Sequence, residues 1–485
     1  MARTPKERFT ASLTVERLDN EGRGVGHRDG KVVFVEGALP GEEVTYERLR
    51  NKPSFEVGRI LEIHRESFMR ATPKCPHFGM GPGSCGGCAM QHIDHAAQVA
   101  FKERVLLDAL WHIGKVRPEN LLPPIEGPSW GYRHRARLTV RFVEKKGGVL
   151  VGFHEKHSSF VADMHVCPIL PRNVSEMLPV LRELVASLSR PDRVPQIELA
   201  VALSGRTALV FRHLEPLTDE DLAKLKAASE SLHFDLWLQP KGPDSAYPVA
   251  PENRDALKLV HREFGVQIAF TPTDFTQVNP AMNEAMVSRA VRLLAPMPDS
   301  HVADFFCGLG NFTLALARRA DVVIGLEGSE ALVERARAGA RQNALSDKTT
   351  FRARNLFTWS LDDWDALNRE VGPIDRVLID PPREGAEALS HVLSETPEKP
   401  ARVVYVSCNP ATLARDLAIL VHTGAWRVRQ AGIMNMFPHT SHVESIAVLE
   451  PGQGSIIDYT KSTERSRSRP GDLARPAYRF FSELP

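Results

Sequence analysis

Cys408 stands in the run Val403-Val404-Tyr405-Val406-Ser407-Cys408-Asn409-Pro410. The β-branched and aromatic stretch 402–406 predicts a buried strand. Asn409 is an N-cap residue type and Pro410 suits the first helical position, so a helix is expected at once after the cysteine. A thiol between the carboxyl end of a strand and the positive end of a helix is favoured as thiolate by the dipole and the unpaired N–H groups. A free cysteine, with a pKa of about 8.5, is only a few per cent thiolate at pH 7, so this placement suits a nucleophile. The competing reading is an inert buried thiol, and this residue alone does not separate the two.

The stretch His301-Val302-Ala303-Asp304-Phe305-Phe306-Cys307-Gly308-Leu309-Gly310-Asn311-Phe312 reads as a strand, a glycine turn and a helix start. Gly308 and Gly310 let the backbone approach a ligand closely. The next strand ends in Glu327, placed to accept from ribose hydroxyls, and the one after is followed by Asn355, placed to read an adenine edge. No third glycine follows Gly310, so the turn has little to cradle a pyrophosphate. A nucleoside cofactor without one fits better, and S-adenosylmethionine is that cofactor. Asp380, in Asp380-Pro381-Pro382-Arg383, ends another strand, where it caps a turn or else orients a substrate base or the sulfonium. A thiolate beside a methyl donor suggests methylation of an unreactive carbon such as carbon 5 of uracil. Thiolate addition to carbon 6 makes carbon 5 nucleophilic, and a base must later remove its proton. Glu444, at the start of a final strand, is offered for that step, against the reading of a solvent-facing edge charge.

The elements that must position these groups are legible in outline. The 485 residues allow about three domains. Hydrophobic content of 42%, charged content of 25% and net charge +1 describe an ordinary globular chain, so nucleic-acid binding must come from local patches. No apolar run is long enough for a membrane span and the first ten residues carry no secretory core, so a cytoplasmic protein with six reduced cysteines is expected. Short β-like runs between glycine turns over residues 1–68 predict a small barrel. Residues 69–266 read as a mixed α+β domain holding a cysteine cluster at 75–90, with one amphipathic helix over 91–114 packing on the catalytic domain. Alternating strands and helices over 267–450 predict a doubly wound, Rossmann-like sheet. Residues 451–485 are expected to be mostly disordered tail. Arg133, Arg135 and Arg137 alternate, as either an RNA-contacting or a solvated strand face.

Phe275-Thr276-Gln277-Val278-Asn279, Asp304–Phe312, Asp380–Arg383, Ser407–Pro410 and His442-Val443-Glu444, in this order, resemble the RNA uracil-5-methyltransferase family across the whole catalytic domain. The resemblance implies a class I S-adenosylmethionine methyltransferase fold, with Cys408 as nucleophile and Glu444 as base. It implies cofactor contacts from Gln277, Phe306, Asn311, Glu327, Asn355 and Asp380, and places Phe275 near a flipped uridine. Residues 10–65 resemble a TRAM domain, an OB-like RNA-binding barrel. Cys75, Cys85, Cys88 and Cys167 resemble the four ligands of the family's [4Fe-4S] cluster, although spacing alone leaves zinc in contention. Nine residues separate Cys75 from Cys85, more than the family's usual five. Barrel and cluster together resemble the members that act on 23S ribosomal RNA, most closely at uridine 1939. A monomer is expected. Another 23S or tRNA uridine, or a non-catalytic RNA-binding role in ribosome assembly, stays open as the alternative.

Overall fold

The computed structural model describes residues 9–452, so the expectation for the tail falls outside the described residues from 453 onward. At the front, six strands pair in the order Thr10–Thr14, Glu43–Asn51, Phe55–Arg65, Lys31–Glu36, Gly24–Arg28, Arg17–Leu18. The sheet curls round, and the Glu16 N–H donates to the Val25 carbonyl at 2.8 Å. Alternate residues point inward, so Leu13, Val15, Val33, Val35, Val44 and Tyr46 fill one small core.

A second six-stranded sheet runs in the order Tyr247–Pro248, Phe234–Gln239, Thr207–Arg212, Gln196–Val201, Arg135–Val143, Gly148–Gly152. Helices Arg172–Ala186 and Asp219–Leu232 share its apolar cluster through Val174, Leu178, Leu181 and Leu225. The helix expected over 91–114 is shorter. It runs His95–Ala109 and closes with a π-helical turn at Leu110–Gly114. Asp94 caps it by accepting from the Ala96 N–H, while His92 and Ile93 pair backward with Ala71 and Arg70. Its Val99, Leu106, Ala109 and Leu110 join the cluster of Leu413, Leu417, Leu420 and Trp426 from the last sheet and its covering helix.

That last sheet has eight strands, in the order Thr349–Ala353, Val322–Glu327, His301–Phe305, Arg376–Ile379, Arg402–Ser407, Glu444–Pro451, Trp426–Met434, Asn120–Leu121. The first five are parallel, and Glu444–Pro451 runs antiparallel to both of its neighbours. Separate apolar clusters cover its two faces, which is why Val322–Glu327, Arg376–Ile379 and Arg402–Ser407 read as nearly continuous apolar runs. Strand order, not strand direction, reverses between His301–Phe305 and Arg376–Ile379: the chain first adds strands on one side and then on the other. The crevice at the carboxyl ends there is where such sheets bind ligands.

Candidate active site

Register aligns the strand ends. Phe305 pairs with Ile379 and Leu326, and Ile379 pairs with Tyr405. One step further along, Glu327, Phe306 and Asp380 therefore stand in a row across three neighbouring strands. On the antiparallel side Val403 pairs with Leu449 and Ser407 with Ser445, and the Ser445 hydroxyl donates to the Ser407 carbonyl at 3.0 Å. The next step of that ladder sets Cys408 opposite Glu444. Directly opposed residues on one face have Cβ atoms about 4.5–5.5 Å apart.

Asn409 accepts from the Ala411 N–H and starts the helix Pro410–Thr423, as its sequence predicts. The expected thiolate is overturned. Burial, then Glu444 and then Asp380 push the Cys408 thiol up to about 11, against the weaker pull of Arg383. One helix terminus does not offset desolvation next to two carboxyls. Glu444, 2% exposed, is itself raised well above its ordinary value by burial and by Asp380. Asp380 is pushed up to about 7 by burial. Arg383 is the cation of this group, and its carbonyl accepts from Asn409 Nδ2 at 3.0 Å and Thr412 Oγ1 at 3.2 Å. The sequence marks Arg383 only as part of a motif.

The glycine turn takes the left-handed conformations its residues suggest, at Gly308 (φ 56°) and Gly310 (φ 84°), and also at Phe306 (φ 65°), where no glycine signals it. The Gly308 N–H donates to Glu327 Oε2 at 3.1 Å, and Gly328 and Ser329 donate to Oε1, so the carboxylate is fixed facing the turn. Beneath it, Thr313 donates to Asp304 at 2.5 Å, and Cys307 is buried packing. Phe306 faces Phe357 with ring centroids 5.7 Å apart, and Phe357 is 53% exposed. This aromatic pair suits an adenine ring. Phe357 escaped the sequence reading, although an aromatic two residues beyond Asn355 was its signal. Asn355 is exposed, and its side chain accepts from the Phe357 N–H at 3.1 Å. The Asn311 carboxamide is engaged by His261 and by both ends of the Asn283 amide, which ties the turn to the helix Pro280–Leu294 instead of leaving it to point into the crevice.

Phe275 is 79% exposed. Gln277 follows it on a segment held at Val278, whose carbonyl accepts from the His134 N–H at 2.7 Å, and at Asn279, which caps the next helix. The three arginines do not form one free face. The strand begins only at Arg135, and the Arg133 guanidinium lies 5.5 Å over the Phe153 ring, where its charge favours the thiolates of Cys85 and Cys88. Arg135 is half-buried; it pairs with Glu198 and donates to the Pro272 and Asp274 carbonyls. Only Arg137 stays largely exposed, at 61%, on the rim of the same Glu198.

Cys75, Cys85, Cys88 and Cys167 line one pocket with Phe78, Gln91, Phe153 and Met164. Burial pushes Cys88 and Cys167 up to about 12, and neighbouring thiols add to it. Backbone N–H groups of His77 and Phe78 face the Cys75 sulfur, Gly87 faces Cys85, and Ile169 and Leu170 face Cys167. Such donors stabilise thiolate ligands. Among the described residues no group of three or more His, Cys, Asp or Glu is arranged to hold a metal ion, and no helix is long and apolar enough to cross a membrane.

The tRNA (Uracil-5-)-methyltransferase family profile matches residues 119–451, and that of the TRAM domain matches residues 6–45. The 23S rRNA (uracil(1939)-C(5))-methyltransferase RlmD of Bordetella bronchiseptica is 53% identical over 459 residues, covering 94% of this chain and 97% of that one. The protein of the same name from Cupriavidus necator is 54% identical over 451 residues, covering 91% and 100%. A solved structure, the Pyrococcus abyssi tRNA (uracil-54, C5)-methyltransferase in complex with S-adenosyl-L-homocysteine, shares the fold at a TM-score of 0.68 and 24% identity, covering 90% of this chain and all of that one. With a matching profile over more than half its length and relatives similar from end to end, this chain belongs to the tRNA (Uracil-5-)-methyltransferase family and carries a TRAM domain at its front.

Proposed function

We propose that this protein methylates carbon 5 of one uridine in 23S ribosomal RNA, at the position its relatives' names give as 1939. The observation that carries the reading is the ladder that sets Cys408 opposite Glu444, with Asp380 beside both. Cys408 Sγ, once its S–H proton has been lost to solvent, adds to carbon 6 of the extruded base while the C5–C6 electron pair shifts towards carbon 5, and Phe275 offers its exposed ring as a stacking partner for RNA. S-adenosylmethionine supplies the methyl group; Gln277, Phe306, Glu327, Asn355 and Asp380 are its candidate contacts, with Phe357 added and Asn311 acting through the turn. Glu444 then takes the proton from carbon 5, carbons 5 and 6 regain their double bond, and Cys408 leaves with the C–S electron pair. A carboxyl held above its ordinary pKa is the stronger base once ionised, which suits this step.

The four-thiol pocket fits a [4Fe-4S] cluster, which would supply a structural or redox centre there. Cys75, Cys85, Cys88 and Cys167 would hold it, and the N–H groups facing their sulfurs and the adjacent Arg133 favour thiolate ligands there.

Substrate RNA carrying 5-fluorouridine tests the reading, because fluorine cannot leave as a proton and the active enzyme stalls as a covalent complex. Wild type is expected to trap the RNA and Cys408→Ala to fail. Equal behaviour of the two sinks the proposal, and mapping 5-methyluridine in ribosomal RNA of a deletion strain fixes the target.

A further inference from the structure

Glu444 is preceded by a turn that the rest of the molecule grips at many points. His439 is its centre. The residue is buried and left-handed (φ 64°), a conformation uncommon outside glycine. Its carbonyl accepts from the N–H groups of Ala89 and Met90, at 2.9 and 3.0 Å, and these two residues directly follow Cys88 of the four-thiol pocket. Its own N–H donates to Gln98 Oε1 at 2.8 Å, and its Nδ1 lies 3.1 Å from Gln98 Nε2. The same Gln98 amide donates to the Met90 and Ile93 carbonyls, so one side chain holds the cysteine segment and the turn together. The imidazole stacks on Trp130, with ring centroids 4.0 Å apart. On one side Lys102 Nζ reaches the Phe437 carbonyl at 2.7 Å, and the Tyr132 hydroxyl reaches that of Pro438 at 2.8 Å. On the other, Thr440 Oγ1 donates back to Phe437 and accepts from the His442 N–H, two residues before Glu444.

We propose that His439, gripped by the Cys88–Met90 segment and by Gln98, is a positioning residue for Glu444, so that the four-thiol pocket acts on the proton-abstraction step and not on the addition of Cys408. The inference rests on the methyltransferase reading above. Cys408 is held through the strand Arg402–Ser407 and the helix Pro410–Thr423, apart from the hydrogen bonds by which Gln98 and the Cys88–Met90 segment grip His439. A loosened His439 turn therefore leaves the nucleophile in place and displaces the base. In the affected step the C5–H bond breaks, its electron pair becomes the C5–C6 double bond, the C6–Sγ pair returns to Cys408, and Glu444 keeps the proton.

The test uses the full-length, iron-loaded protein and substrate RNA with ordinary uridine, reading the fraction of enzyme carried as a denaturation-stable RNA adduct during turnover. Gln98→Ala is expected to raise that fraction and to lower kcat by about tenfold to a hundredfold, while its rate of trapping by 5-fluorouridine RNA stays near wild type. Gln98→Glu keeps the acceptor for the His439 N–H and is expected to recover part of kcat. Hydrogen exchange of residues 435–444, compared between iron-loaded and chelator-stripped wild type, is expected to speed up on stripping, and this arm needs no variant to fold. Unchanged exchange on stripping, or a folded Gln98→Ala with wild-type adduct levels, overturns the inference. Failure of wild type itself to be trapped by 5-fluorouridine RNA overturns the methyltransferase reading instead, and the exchange arm still judges the clamp.

Discussion

A proposed nucleophile held as a neutral thiol has a measurable consequence. Burial and two carboxyls put Cys408 at about 11, so at pH 7 very little of it is thiolate. Alkylation of Cys408 by iodoacetamide, followed by peptide mass spectrometry, is therefore expected to rise about tenfold per pH unit between pH 7 and 10, since only the thiolate reacts. The sign follows from the direction of the shift: a raised thiol pKa moves the reactive form to higher pH. A plateau near pH 8 would show an ordinary or activated thiol and refute this account. Arg383 is the group that opposes the shift, so Arg383→Gln is expected to slow alkylation at every pH below the plateau. The sequence singled out this residue, but its expectation of a thiolate runs against the direction of the shift. Strand, cap and helix start are local patterns and were legible. The charge state depends on Glu444 and Asp380, whose strand ends the sequence also marked. Their burial beside Cys408 belongs to the folded register, which no single segment displays.

Between elements, the segment carrying Phe275 and Gln277 is held by a clasp with one jaw on the central sheet and the other on a helix that covers the last sheet. Arg135, on the central sheet, donates to the Pro272 and Asp274 carbonyls, and Arg335, on the helix Glu330–Gln342, grips the Asp274 carboxylate. Arg135→Met leaves Glu198, 6% exposed, with only the rim contact of Arg137. Breaking a buried pair from one side costs about 3–5 kcal/mol, and the remaining Arg137 contact puts the expected loss at the lower end. Denaturant titration measures that loss. The same variant is expected to raise KM for RNA more than it lowers kcat, because Phe275 is unmoored while Cys408 and Glu444 are untouched; an unchanged KM in a folded variant argues against the clasp. Alternation in Arg133-His134-Arg135-Ala136-Arg137 suggested a strand, and the strand takes in Arg135 onward but not Arg133. It could not say what opposes each arginine, because Glu198 lies on a partner strand and Asp274 on a loop more than a hundred residues away. Three of the parallel strand ends were legible for the converse reason: a covered sheet writes Val322–Leu326, Val377–Ile379 and Val403–Val406 as apolar runs, and Glu327, Asp380 and Ser407 are the polar residues that follow them.

Over the whole molecule, barrel, cysteine segment and catalytic domain meet around a few buried residues. Met90, fully buried, packs with Leu39 of the barrel and with Ile93 and Phe101 at the start of the long helix, while its N–H holds His439. Glu42, also fully buried, takes both of its Arg70 contacts at 2.6 and 2.7 Å and accepts from the N–H groups of Leu39 and Ser67, which locks the barrel to the stretch leading into Cys75. Glu36, on the last barrel residue of its strand, pairs with Lys156 and His157 from the loop that brackets Cys85. A barrel tethered only by a flexible linker would melt by itself, whereas these contacts make its loss felt at the cysteine pocket and at the turn before Glu444. Glu42→Gln keeps the size and shape of the side chain but leaves Arg70 without its charge partner and Leu39 or Ser67 facing an amide nitrogen. Removing one side of a buried pair costs about 3–5 kcal/mol. Calorimetry of the variant is expected to show the main transition, the one that includes the catalytic domain, moved to lower temperature. A variant in which a small barrel transition shifts alone, with the main one unmoved, would show that the barrel is an independent appendage and that the route from Glu42 through Met90 to His439 carries no energy.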